Sequence, residues 1–229
     1  MSPVDPFATI ASAIGDGVPR RRVSTFVALG DSFTAGRGCD PGQRWADRLT
    51  ALLRPRNPGL SHHNLAVDGA TSGAVLRQVG PAIQLEPDLV TVVCGANDVI
   101  GSVRPDLDAY SENLEEILGR LQRGLPRVAI LTATSPERWS FLELRPRTRA
   151  RVVDGIRDLN DVTRRVARGR MVPVLDVRAH PGLDREENFL DDGLHPSPSG
   201  HARAALEVAA ALRKHHGIES EKTIKEETA

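Results

Sequence analysis

Lysine is almost missing from the body of this chain. Of 229 residues only Lys214, Lys222 and Lys225 are lysine, all within the last sixteen. A P-loop needs G-K-[ST] at its end, so that absence excludes one from every strand-to-helix turn upstream. An excess of either charge is missing too: Lys+Arg and Asp+Glu number 30 each, and the formal net charge is zero with neutral histidine. Without a basic field no nucleic-acid partner is expected. Cysteine is scarce. Cys39 and Cys94 form neither a C-x-x-C pair nor a zinc-like spacing, so two reduced thiols are predicted, as in the cytosol. No run approaches the about 18 apolar residues of a membrane span. The opening "MSPVDPFATIASAIGDGVPRRR" has an early acid, a short apolar run and its arginines on the wrong side for an export signal, so a cytoplasmic location is predicted.

What is present is an alternation of short β-branched runs with longer amphipathic stretches, the pattern of βαβ units around a parallel sheet. Strands are predicted at 25–29, 63–67, 89–94, 128–132 and 172–177. Helices are predicted at 44–53, 72–78, 107–121, 148–168 and 199–214. Right-handed crossovers cover both faces of such a sheet, giving an α/β fold, a three-layer α/β/α sandwich. The length suits one domain. We expect an N-terminal extension over 1–24, the folded domain over 25–214, and a solvated, disordered charged tail over 215–229.

In open α/β sheets the ligand site lies beyond the carboxyl ends of the strands. The residues there are "GDS", "DGATSG", "GAND" and "TSPERWSF". The glycines after the first strand do not make a nucleotide loop, because a dinucleotide fingerprint from Gly36 meets Pro41 where its third glycine belongs. Ser32 in "GDSFT" also fails the G-x-S-x-G elbow. A serine nucleophile in another setting needs a base, and "FLDDGLHPSPSGH" offers His195 three residues after Asp192, a spacing that lets a carboxylate hold one imidazole nitrogen while the other takes the Ser32 proton. Acyl transfer also needs fixed donors for a developing oxyanion, a role open to the Asn97 amide and the backbone N–H groups of Gly69 and Ser32. Taken singly, each has a plainer explanation: a turn glycine, a helix-capping asparagine, a helix-capping serine, a loop hydrogen bond.

Together these blocks resemble the GDSL-type esterases and lipases, also called SGNH hydrolases. The four letters correspond here to Ser32 in "GDSFTAG", Gly69 in "NLAVDGATS", Asn97 in "GAND" and His195 in "DGLHP", in order across 26–200. The resemblance implies a flavodoxin-like sandwich with strand order 2-1-3-4-5 and no metal or organic cofactor. It also implies ester or thioester hydrolysis through an acyl-serine. Ser32 would be nucleophile, His195 base then acid, and Asp192 the orienting carboxylate in preference to Asp191. Asp31 would organise its loop. The implied partner is a small-molecule acyl ester. Transfer of the acyl group to a carbohydrate or natural-product alcohol uses the same residues, as does deacylation, and a binding module with a disabled site is the non-enzymatic alternative.

Aromatics are 3% of the chain, yet Trp139 and Phe141 fall together after the fourth strand. They are candidates, with Leu142 and Leu144, for a wall around the acyl or alcohol group. The alternative is that these side chains pack a helix on the sheet. Arg145, Arg147, Arg149 and Arg151 alternate by two, so only Arg147 and Arg151 share a helix face, and a solvated helix start is expected rather than an anion site. His62, His63, His215 and His216 lack ligand spacing, and no metal site is predicted.

Overall fold

A computed structural model describes residues 20–138 and 140–221. Its five strands are β1 (Thr25–Gly30), β2 (Ser61–Asn64), β3 (Leu89–Val93), β4 (Ala129–Ala133) and β5 (Val174–Leu175). All pair in parallel, as the βαβ pattern predicts, and in the order β2-β1-β3-β4-β5 that the family resemblance implies. Around them lie α1 (Ser32–Ala35), α2 (Trp45–Leu53), α3 (Ser72–Gln84), α4 (Ala96–Ile100), α5 (Leu107–Gly124), α6 (Pro146–Gly169) and α7 (Pro198–His216).

The central strands read as nearly continuous apolar runs because both of their faces are covered. Val27, Leu29, Val90, Val92 and Ile130 enter a core with α3, α5 and α6. Their sequence neighbours Phe26, Ala28, Leu89, Ala129 and Leu131 enter a second core with α2 and α7. Period-two alternation thus feeds two layers at once. From β1 the chain goes out to β2 and returns on the other side as β3. The order reverses there, so the ends of β1 and β3 open into one crevice.

Four departures from the expected boundaries have a local structural cause. β2 starts two residues early, because the His62 ring stacks on Phe26 at 4.8 Å and fills an apolar place with a residue that reads as polar. The expected segment still runs beside β1, with Leu65 and Val67 N–H groups donating to the Ala28 and Gly30 carbonyls. β5 is reduced to Val174–Leu175, after which Asp176 turns its carboxylate to Thr134 and Arg178. α3 continues past Gly80 and through Pro81, whose ring is exposed, while buried Val79 and Ala82 keep the helix on the core. A proline there removes one backbone donor and crowds the carbonyl one turn back, and the packing of Val79 and Ala82 outweighs both costs.

The fourth difference concerns the tail. α7 runs to His216, Gly217 closes it with φ 63°, Ile218 is fully buried, and Glu221 N–H donates to Leu52 O at 2.9 Å. Packing against α2 therefore carries the ordered chain through 221, beyond the expected end at 214. At the other end Arg21 N–H donates to Gly217 O and Val23 is buried, so the chain is also anchored upstream of 25. The rest of the expected extension and tail lies outside the described residues.

Candidate active site

Ser32 sits where β1 stops, and close packing explains the stop. A Cβ on Gly30 would lie 2.5 Å from Val93 O and 2.7 Å from Thr34 Oγ1, so only glycine passes between β3 and the first turn of α1. The buried Gln78 amide grips the same residue from both sides, accepting from Gly30 N and donating to Gly30 O, each at 2.9 Å. Asp31 then caps α1, its Oδ1 accepting from Phe33 N at 3.0 Å. This carboxyl is 1% exposed. Burial pushes it up to about 7, against the Phe33 N–H bond that pulls it down, with Asp98 and Asp68 adding repulsion.

His195 and Asp192 arrive from the other end of the chain, on the arm between β5 and α7. His195 Nε2 is 3.0 Å from Ser32 Oγ, and His195 Nδ1 is 2.6 Å from Asp192 Oδ2. With Nδ1–H donating to the carboxylate, Nε2 is the nitrogen that accepts from the Ser32 hydroxyl. Asp192 Oδ1 accepts from Leu194 N and His195 N, both at 2.9 Å, which fixes the carboxylate in the turn. Partial burial raises the Asp192 carboxyl, but bonds from the His195 backbone, its ring and Leu194 N–H outweigh burial and hold it below the usual range. Asp191 is exposed and the His195 ring bonds Asp192 instead. Gly193 follows Asp192 in the turn, with φ 64°. A Cβ there would fall 2.0 Å from Phe141 O, so glycine lets the 141 backbone lie directly on this turn.

Gly69 and Asn97 flank the crevice. Gly69 has φ 72°, exposed in the turn before α3. Asn97 lies in the first turn of α4, a short helix absent from the sequence expectation, and donates one amide hydrogen to Ala70 O at 3.1 Å. Its second amide hydrogen is left for another acceptor. Asp98 ties the two blocks together, accepting from Ser72 N at 2.8 Å and Ser72 Oγ at 2.6 Å, with Asn113 donating to the same hydroxyl at 3.0 Å.

The expected wall is divided. Trp139 lies outside the described residues. Phe141 is half-buried with its ring 5.4 Å from Phe189, while Leu142 and Leu144 pack against the core of α3, α5 and α6, the helix-packing alternative. Arg145 and Arg147 are exposed. Arg151 donates to Val99 O and Ser102 O and Arg149 to Leu142 O, so these two bind loops rather than facing solvent. Three residues at the site escaped the sequence reading. Gln78 looks like any polar helix position, Asp98 like a first-turn acid, and His201 like a surface residue of "SGHARAA". His201 is fully buried, its Nδ1 accepting from Trp45 N at 3.2 Å, and burial drives it down to about 4.

The sequence pattern of the GDSL-like Lipase/Acylhydrolase family matches residues 28–203. An arylesterase of Vibrio mimicus is 25% identical over 190 residues, covering 82% of this chain and 88% of that one. An isoamyl acetate-hydrolyzing esterase 1 homolog of Mus musculus is 28% identical over 190 residues, covering 76% and 74%. Among solved structures, the esterase EstA of Pseudoalteromonas sp. superposes with a TM-score of 0.68 at 18% identity, over 83% of this chain and 97% of that one. No helix among the described residues is long and apolar enough to cross a membrane.

Proposed function

This chain belongs to the GDSL-like lipase/acylhydrolase family and is a carboxylic ester hydrolase, and we propose that it cleaves small acyl esters through a covalent acyl-Ser32 intermediate. The observation that carries this reading is the continuous path Ser32 Oγ, His195 Nε2, His195 Nδ1, Asp192 Oδ2, with gaps of 3.0 and 2.6 Å. In the first half-reaction Ser32 Oγ attacks the acyl carbon while its proton moves to His195 Nε2. The carbonyl electron pair moves onto oxygen, and that charge meets the N–H groups of Ser32 and Gly69 and the second amide hydrogen of Asn97. Asp192 stabilises the imidazolium and keeps its tautomer. Collapse breaks the C–O bond, the alcohol leaves with the His195 proton, and the acyl group stays on Ser32. Water repeats the sequence, giving the carboxylic acid and free Ser32.

The two relatives are named for an aryl ester and for isoamyl acetate. Carried to this chain, those names support esters of modest size. A p-nitrophenyl ester panel from acetate to long acyl chains, run with wild type and Ser32→Ala side by side, tests the reading. Turnover falling on the order of 10⁴–10⁶-fold in the variant is expected. Equal rates in both would remove Ser32 from the reaction.

A further inference from the structure

On the α2 and α7 side of the sheet, beyond the ends of β3, β4 and β5, lies a cavity of about 190 Å³. Ser32 and His195 are not part of its wall, but their neighbours are: Asp31 and Phe33 on either side of Ser32, and Pro196 after His195. The Phe33 ring lines the cavity and lies 5.9 Å from the His195 ring, so the cavity begins beside the reacting pair. α7 contributes Gly200, Ala204 and Val208 to the opposite wall. Spaced four apart, these share one face of the helix, and they grow from no side chain to three carbons along it. A helix with leucine at those positions would fill this space; here it is left open.

We propose that this cavity receives the acyl group of the ester, with a size limit near a phenyl ring or a short branched chain. The proposal rests on Ser32 as the nucleophile. Three observations support it. An apolar cavity of about 150 Å³ is enough for benzene, which sets the scale for this slightly larger one. The acyl carbon is the atom that bonds to Ser32, and both residues flanking Ser32 line the cavity. The turn from Asp192 to His195, whose imidazole protonates the leaving alcohol, contributes no residue to the wall, although the arm on either side of it does, through Asn188, Phe189 and Pro196. The wall also holds His201, whose Nε2 is buried with no hydrogen-bond partner among the described residues. Buried polar atoms of this kind are ordinarily satisfied, so a water accompanying the occupant, or an oxygen of the occupant itself, supplies the missing acceptor.

The test varies the two halves of the substrate independently. One series holds p-nitrophenol constant and changes the acyl group from acetate through butyrate to benzoate and octanoate. The other holds acetate constant and changes the alcohol from ethyl to isoamyl to phenyl. Val208→Phe fills the cavity, Val208→Ala enlarges it, and the exposed Met171→Ala serves as the control. In Val208→Phe the kcat/KM ratio of benzoate to acetate falls by about tenfold or more, the scale of a lost fit in an apolar pocket. In Val208→Ala that ratio, or that of octanoate to acetate, rises. Ratios along the alcohol series shift much less. If Val208→Phe does not fold by thermal melting, Ala204→Leu takes its place. Unchanged acyl ratios in two folded variants overturn the proposal, and so does a shift confined to the alcohol series. A wild type that hydrolyses none of these esters overturns the nucleophile reading as well, whereas hydrolysis with unaltered ratios sinks the pocket alone.

Discussion

The turn that carries Ser32 and the arm that carries His195 are held by different means. The first is welded to the sheet: Gly30 is gripped through both backbone groups by Gln78, and Asp31 is 1% exposed with its carboxyl pushed up to about 7. The second crosses the surface in short 3₁₀ turns between β5 and α7, closed on itself by an antiparallel bridge between Phe189 and Pro196 and tied to the body by side-chain and loop contacts such as His180 with Glu207 and Glu137 N–H with Arg178 O. Its Asp192 side chain is 45% exposed and its carboxyl is held below the usual range. Two aspartates near one serine are thus set to opposite tasks by their surroundings. In the proposed mechanism the exposed, hydrogen-bonded one carries charge that stabilises an imidazolium, while burial favours the neutral form of the other, which caps the turn at Ser32.

Replacing each carboxylate tests that contrast. Asp192→Asn is expected to lower kcat by about 10³–10⁴-fold with little change in Tm, because an amide leaves the imidazole without its charge and with the wrong tautomer. A loss below tenfold, measured on p-nitrophenyl acetate, would make the two aspartates equivalent and break the comparison. Asn97→Ala, which removes the proposed side-chain donor for the oxyanion, should cost on the order of 10²–10³ in kcat. Steady-state kinetics with KM nearly unchanged would agree with that, and full activity would remove Asn97 from the site.

Asp31→Asn is expected to act on stability. The Asp31 carboxyl goes from an unperturbed 3.8 to about 7 when folded. The folded chain therefore holds a proton that the unfolded chain releases above about 4, and the stabilisation present at low pH is lost as pH rises to about 7. An asparagine keeps the Phe33 cap without that loss. The advantage of the variant over wild type should grow by about 2–3 kcal/mol between pH 5 and 8 and level off above 7. Denaturant melts across that range read it, and a gap independent of pH would place a charged Asp31 in the folded chain.

The same contrast explains what the sequence revealed. Residues at strand ends stand next to long apolar runs, so Ser32, Gly69 and Asn97 could be singled out as candidates from local pattern, and the strand order followed from the family blocks. Asp192 and His195 were visible because glycine and proline bound their turn. Support from a distance was not visible: Gln78 reaches 48 positions back to Gly30, and nothing in "RQVGP" marks it. β2 was misplaced because His62 packs as an aromatic ring on Phe26, and α3 was cut short because Pro81 faces out while its neighbours face the core. Leu142 and Leu144 had the composition of a substrate wall, and their core packing depends on where α6 lies, which no local pattern states.

The central claim is that Ser32 is the reacting atom's owner, and covalent labelling tests it most directly. Wild type would be treated with an alkyl p-nitrophenyl phosphonate, weighed intact by mass spectrometry, and digested to locate the adduct. The account predicts one phosphonyl group per chain, mapped to Ser32, with labelling slowed sharply in Asp192→Asn. An unlabelled protein that still hydrolyses esters, or an adduct on any other residue such as Cys39, would contradict it.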